Sequence, residues 1–192
     1  MKVIMTKNFT IRAPIGDVWA FMTDIEKVSS CIPGAQYVED LGENCHVVML
    51  TIKVGPIKSS YKSEVSIRNL DVNNHTLEIE GRGTDVKGKG GATMEMVGSL
   101  TDFGDGTTAI NGDSTVTIQG MLAQFGSRMV EDVSNQLFLQ FTKSLAAKLE
   151  GNGEQAHETE SSNETLSGIA VAGAAIKGVS GRLMEKFKRK ED

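Results

Sequence analysis

The residue types that most often perform chemistry are few in this sequence, and they lie far apart. The three histidines are His46, His75 and His157, and none belongs to a His-x-x-x-His or Cys-His cluster. The two cysteines, Cys31 and Cys45, have no partners at the spacing of a zinc ribbon and could form at most one disulfide. We therefore expect neither a metal site nor a disulfide scaffold.

Two further patterns resemble catalytic motifs but lack a necessary feature. Glu78 and Glu80 alternate with Leu77 and Ile79, which is typical of a solvated strand face rather than an acid–base pair. Residues 83–90 approach the phosphate-binding pattern G-x-x-x-x-G-K-[ST], but a glycine replaces the required hydroxyl, and strand periodicity continues afterwards. A β-hairpin is the better interpretation there, and we predict no catalytic residues.

The methionines are the more informative chemical feature, because there are nine of them against 5% aromatic residues. Met94 and Met96 share one face of a predicted strand, and Met121 and Met129 lie on or near the apolar side of a predicted helix. Thioether side chains suit an irregular apolar ligand, and they equally suit gap filling in a core. Both interpretations stay open from the residues alone.

Hydrophobic periodicity predicts the elements that position these residues. Period-two patterns predict strands at 3–12, 37–41, 45–54, 59–70, 75–82, 93–100 and 107–119. Helical spacing predicts short helices at 15–23 and 24–30, the second capped by Asp24, and one long amphipathic helix at 121–150. The sequence thus predicts an α+β fold in which a curved seven-stranded antiparallel sheet grips the long helix. Such folds commonly leave an apolar cavity between sheet and helix.

The net charge of −5 conceals three segments of different composition. Residues 1–150 carry 14 basic and 18 acidic side chains, residues 151–165 carry four acids and no base, and residues 166–192 carry six bases and three acids. We predict a domain, a disordered acidic linker and a separate terminal element, respectively. The overall acidic balance excludes a general nucleic-acid binder. Residues 1–12 lack the apolar run of a secretory signal, so a reduced, cytoplasmic location is expected.

The pattern of residues 166–192 is that of a basic amphipathic helix. Its apolar face holds Ile169, Ile176, Leu183 and Phe187, and its bases include Lys177, Arg182, Lys186 and Arg189. We expect this helix to lie on the anionic inner face of the cell membrane, where each base contributes about 1 kcal/mol. Docking on the domain itself and insertion into a groove of a partner protein are the alternatives.

Several stretches resemble one known family in their order along the chain. They are Phe9-Thr10-Ile11 with Val18-Trp19, then residues 31–35, 54–58, 106–108 and 120–128. Together they resemble the family of the G subunit of carbon monoxide dehydrogenase, within the helix-grip superfamily that includes START and polyketide-cyclase domains. The resemblance implies an accessory protein of a molybdenum-containing dehydrogenase, which tethers the enzyme to the membrane or handles a lipid-like quinone.

The residues and the resemblance lead to one hypothesis, a non-enzymatic protein that binds a hydrophobic molecule, a quinone or a fatty acid, without covalent attachment. The expected ligand-binding residues are Phe21, Cys31, Val48, Leu50, Tyr61, Met94, Met96, Phe125, Met129, Val133 and Leu137. Tyr61 is expected to offer a polar contact, and Cys31 is expected at the cavity mouth. Two alternatives remain. One is a cavity enzyme, a cyclase or hydrolase with Tyr61 and His46 as ionisable candidates, and the other is a pure assembly factor.

Overall fold

The computed structural model of the protein describes residues 1–54 and 57–151, and these form seven strands and three α-helices. The strands are β1 (Lys2–Ile11), β2 (Ala35–Gly42), β3 (Cys45–Val54), β4 (Ile57–Asp71), β5 (Thr76–Asp85), β6 (Gly90–Asp102) and β7 (Thr108–Gly120). The helices are α1 (Ile15–Met22), α2 (Ile25–Ser29) and α3 (Gly126–Leu149). The predicted linker and terminal helix, residues 151–165 and 166–192, lie outside the described residues except for Gly151.

All seven strands form one antiparallel sheet in the order β1-β7-β6-β5-β4-β3-β2. Strands β2 to β7 follow one another as a meander, while α1 and α2 carry the chain from β1 at one edge to β2 at the other. The Asp24 carboxylate accepts a hydrogen bond from the Lys27 amide at 3.0 Å and so caps α2, as its position predicts. Register shifts in β2 and β4 mark bulges, which bend the strands that contain them. The architecture is the α+β fold expected from the sequence.

The long C-terminal helix is also present, and the structure divides it near its start. Met121–Phe125 forms a 3₁₀ turn, and Gly126 follows it with a φ of +80°. Residues other than glycine rarely adopt this backbone conformation, so Gly126 permits the change of direction before α3. The remaining 24 residues of α3 pack against β1 and the 3₁₀ turn.

Among the described residues, two separate apolar clusters pack near the two ends of α3. The first joins α1 and the end of α3 to strands β1, β6 and β7, and its buried members are Ile11, Ala13, Val18, Cys31, Leu100, Ile110 and Leu145. The second lies at the 3₁₀ turn, and its buried members are Tyr61, Ile118 and Leu122. Apolar packing therefore holds both ends of α3 against the sheet. The middle of α3 is separated from the sheet by a cavity.

The outer face of the sheet carries a cluster of charged side chains beside the exposed apolar residues Ile4 and Val97. Glu80 accepts hydrogen bonds from Arg68 Nε at 2.7 Å and from Arg82 Nε at 2.6 Å, and Glu78 is exposed. The solvated face predicted for the two glutamates is therefore confirmed. The hairpin predicted at residues 83–90 is confirmed as well, since this segment joins β5 to β6. Among the described residues, no helix has both the length and the apolar character that a membrane span requires.

Candidate functional site

A cavity of about 500 Å³ lies between the inner face of the sheet and helix α3. Strands β1 and β3 to β7 supply its floor, and α3 covers it. The side chains of α2 and of the turn after it, including Ile25, Val28 and Ile32, close one flank. Cavities that hold small organic ligands span about 300–1,000 Å³ and are mostly apolar. The cavity is therefore of a size that accepts a ligand of roughly drug or single-lipid-chain dimensions.

Most of the sequence-predicted ligand residues meet in this lining. Strands β3, β4 and β6 contribute five of them, namely Val48, Leu50, Tyr61, Met94 and Met96. The 3₁₀ turn and α3 contribute four, namely Phe125, Met129, Val133 and Leu137. The strand residues have side chains on the inner face because the alternation of each strand puts every second residue there. The predicted helix residues recur at intervals of four, which places them on one side of α3.

Phe21 and Cys31, by contrast, lie outside the described lining. Both pack in the apolar cluster at the end of α3, where Cys31 is 2% exposed and lies among Val18 and Leu145. Burial is the main cause that raises the pKa of the Cys31 thiol. The expectation that Cys31 stands at the cavity mouth is thus corrected, because this side chain fills the junction between the short helices and α3.

The structure adds lining residues that the sequence analysis missed. Met5 and Phe9 of β1, Met22 of α1, and Phe138 and Phe141 of α3 all contribute, and Lys7 of β1 adds a charge. Met121 was expected beside the other methionines but does not contribute to the described lining. Period-two spacing already placed Met5 and Phe9 on a common face of β1. The missing information was that this face turns towards α3.

Tyr61 is a buried polar group of the cavity wall. Its side chain is 5% exposed, and it lies directly opposite Asp85 in the register of β4 and β5. Burial raises the pKa of Tyr61, the nearby Asp85 carboxylate raises it further, and a hydrogen bond with Ser59 opposes both effects. The phenol therefore stays protonated near neutral pH and can donate a hydrogen bond.

His46, the other ionisable candidate, is not part of the described lining. Its Nδ1 atom lies 3.2 Å from the Tyr37 hydroxyl and 3.7 Å from an Asp40 carboxylate oxygen, on strands β2 and β3. The structure therefore does not bring His46 and Tyr61 together at the cavity wall.

The cavity reaches solvent beside the start of α3. Phe125 and Met129 both belong to the lining, yet they are 36% and 41% exposed. Large apolar side chains that line an interior space and also meet water indicate an opening at that point. This opening lies next to Gly126.

Comparison with models of known protein families matches residues 8–150 to the family of the G subunit of carbon monoxide dehydrogenase (CoxG). The chain belongs to this family. The match spans most of the sequence, and it confirms the resemblance indicated by the ordered motifs. No curated protein matches the sequence significantly.

Solved structures share the fold of this CoxG family member. A conserved protein from Geobacillus kaustophilus is 22% identical, with a TM-score of 0.71 over 77% of this chain and 95% of that chain. The ZhuI aromatase/cyclase from Streptomyces sp. R1128 is 15% identical, with a TM-score of 0.58 over 83% of this chain and 100% of that one. A START superfamily protein from Mycobacterium smegmatis is 13% identical, with a TM-score of 0.53 over 77% and 97%. These similarities confirm the helix-grip, START-like fold.

Proposed function

We propose that this CoxG family member is a non-enzymatic carrier for a quinone or fatty acid. In this proposal it also serves as a membrane-tethering accessory protein of a molybdenum-containing dehydrogenase, on the cytoplasmic side of the membrane. The observation that carries the proposal is the cavity of about 500 Å³, whose described lining is dominated by aliphatic, aromatic and methionine side chains. Family membership supports the partner, and the basic pattern of residues 166–192 supports the membrane.

Burial of an alkyl or isoprenoid chain would supply the binding free energy. Each methylene group removed from water contributes about 0.8 kcal/mol, so ten buried groups contribute about 8 kcal/mol before the entropic costs of association are subtracted. Methionines Met94, Met96 and Met129 can adapt to the irregular shape of such a chain. The cavity therefore suits ligands that are recognised mainly through apolar area.

The carrier function is tested by analysing what the protein holds after gentle purification without detergent. Organic extraction and mass spectrometry should recover a quinone or a fatty acid at close to one molecule per chain. Protein that is consistently empty, and that also fails to bind added quinones and fatty acids, would contradict the proposal.

The membrane function is tested by co-sedimentation with vesicles that contain anionic phospholipid. The full chain should sediment with them, and a truncated chain of residues 1–151 should stay in solution. Added salt should weaken the binding, because dissolved ions screen the attraction between basic side chains and anionic lipid. At physiological ionic strength this attraction already reaches only about 8–10 Å. Equal sedimentation of both proteins would refute a role for residues 166–192.

The partner is tested by isolating the tagged protein from its native host at low salt. A molybdenum-containing dehydrogenase should accompany it, and molybdenum should be measurable in the eluate. Co-purification of this enzyme with a carrier whose interior is always empty would instead favour a pure assembly factor.

A cavity enzyme is the second candidate, and the neutral Tyr61 phenol inside the cavity is the observation that favours it. An aromatase/cyclase of similar fold shows that the architecture can hold an active site. The Tyr61→Phe variant separates the two functions. A carrier returns its bound ligand chemically unchanged with either residue, whereas an enzyme converts the ligand and loses that conversion in the variant.

A further inference from the structure

Lys7 is a charged side chain in the wall of an otherwise mainly apolar cavity. It lies on β1, the strand at one edge of the sheet, and its inward position puts it between the sheet and α3. At the solvent-facing margin of the cavity, its Nζ atom donates an exposed hydrogen bond to Asn135 Oδ1 of α3 and stands 5.4 Å from the centroid of the Phe138 ring. A lysine ammonium has three N–H donors, and the Asn135 contact uses one of them.

The sheet leaves room directly beside Lys7. In the register of the sheet, Lys7 is paired with Gly112 of β7, and Gly112 is paired with Gly98 of β6. A Cβ atom placed on Gly112 would have its nearest neighbour, the Met96 sulfur, at 3.9 Å. The space beside Gly98 is filled by Leu77, whose side chain would lie 3.1 Å from an added Cβ, so the open position is the one at Gly112. A ligand group can approach Lys7 across the inner face at Gly112.

Aromatic rings border the same part of the cavity. The Phe9 ring meets the Phe138 ring edge to face with centroids 5.5 Å apart, and it meets the Phe141 ring in the same manner at 6.2 Å. All three rings belong to the lining. They can pack against a flat or unsaturated group while the ammonium contacts an oxygen at its edge.

We propose that Lys7 binds the head group of the cavity ligand by donating a hydrogen bond to a carbonyl or carboxylate oxygen. This inference rests on the proposed carrier function and specifies where the polar end of the ligand lies. Both oxygen types accept hydrogen bonds, as the head of a quinone or of a fatty acid does. The apolar tail then extends along Met94 and Met96 towards the opening beside Phe125.

The test measures the binding of three probes to the full-length protein. Oleate carries a carboxylate, decylubiquinone carries two carbonyl groups, and diphenylhexatriene is an apolar fluorophore without a head group. Binding of diphenylhexatriene is followed by its fluorescence. Binding of oleate and of decylubiquinone is followed by the loss of fluorescence as each displaces diphenylhexatriene. The Lys7→Met variant keeps an unbranched side chain and removes the ammonium. Lys62→Met is the matched control, because Lys62 is exposed and lies outside the lining.

We expect Lys7→Met to weaken oleate or decylubiquinone binding about tenfold, as loss of a charge-assisted hydrogen bond does. The affinity for diphenylhexatriene should stay the same, and Lys62→Met should change none of the three affinities. A loss confined to oleate identifies a carboxylate head, and a loss confined to decylubiquinone identifies a carbonyl head.

Two results would overturn the inference while leaving the carrier function intact. One is an unchanged affinity of Lys7→Met for both head-bearing probes, and the other is an equal loss for all three probes. An inward charge on an edge strand also prevents pairing between molecules, so self-association of Lys7→Met with normal affinities would assign Lys7 to that role. If the wild-type protein binds none of the probes, the proposed function and this inference fail together.

Discussion

Filling the cavity beside β7 should make the protein more stable and a weaker binder at the same time. Gly112 lies in the lining, and within the described part of the chain a Cβ at this position would have no neighbour closer than 3.9 Å. A Gly112→Leu side chain can therefore extend into the open space. Burial of the leucine contributes about 1.5–3 kcal/mol. Removal of glycine from a strand interior adds about 0.5–1 kcal/mol. The free energy of unfolding of the ligand-free protein should therefore rise by about 3 kcal/mol.

Two measurements on ligand-free Gly112→Leu check this expectation. Thermal unfolding followed by circular dichroism should show a Tm higher by about 6–12 °C, because 1 kcal/mol shifts the Tm of a domain of this size by about 2–4 °C. Ligand affinity, measured by displacement of a fluorescent probe, should fall at least tenfold, since four carbon atoms occupy space that the ligand would use.

Gly16→Leu is the matched control for this variant. Gly16 is exposed on helix α1, and a Cβ there meets no atom of the described residues within 4 Å. The control should gain about 1 kcal/mol from helix propensity alone and keep its ligand affinity. A Gly112→Leu protein that is stabilised but binds normally would show that the ligand does not occupy this space. A destabilised one would show that the cavity is already filled by side chains.

Three further predictions concern the apolar core, the backbone at Gly126 and the outer face of the sheet. Leu145→Ala should lower the free energy of unfolding in urea by about 2–5 kcal/mol without changing probe affinity, because Leu145 is fully buried outside the lining. Gly126→Ala should cost about 1–3 kcal/mol in the same assay, because its φ of +80° and ψ of 164° form a backbone conformation that is almost exclusive to glycine, and no described atom adds a clash; an unchanged stability would refute this backbone argument. Hydrogen bonds from Arg68 and then Arg82 lower the pKa of Glu80 below its ordinary value of 4.5, so its stabilising contribution is complete above that value and is lost as the pH falls through the lower folded-state pKa. The stability difference between wild type and Glu80→Gln should shrink from pH 6 to about pH 3, and a constant difference would contradict this sign.

The order of elements could be predicted from the sequence because local signals act at their boundaries. Asp24 caps α2, Pro14 precedes α1, and the strands keep a period-two pattern outside the bulges in β2 and β4. The bend at Gly126 was not predicted, because the apolar spacing of residues 121–150 continues through it. Helical periodicity reports which side of a segment is apolar, and it carries no information about a single residue with positive φ.

The candidate site was predictable where one element alone determines which side chains share a face. Met94 and Met96 must lie together on β6, whatever the rest of the fold does. Cys31 and Phe21 were misplaced because their surroundings depend on how α1 packs against the end of α3, which is a tertiary contact. Lys7 was overlooked for a related reason, since a lysine in a strand normally marks the solvent face.

The division of the apolar interior into two clusters has a consequence for the life of the protein in a cell. Under the proposed carrier function, the ligand-free chain has an empty cavity between the two clusters. Binding of the cargo then raises its stability by RT ln(1 + [L]/Kd), about 2.7 kcal/mol at a hundredfold excess over Kd. Proteases act on unfolded molecules, so the empty form should be degraded faster than the loaded form. The amount of this protein would then follow the supply of its cargo, and the cell would retain mainly those copies that have something to deliver.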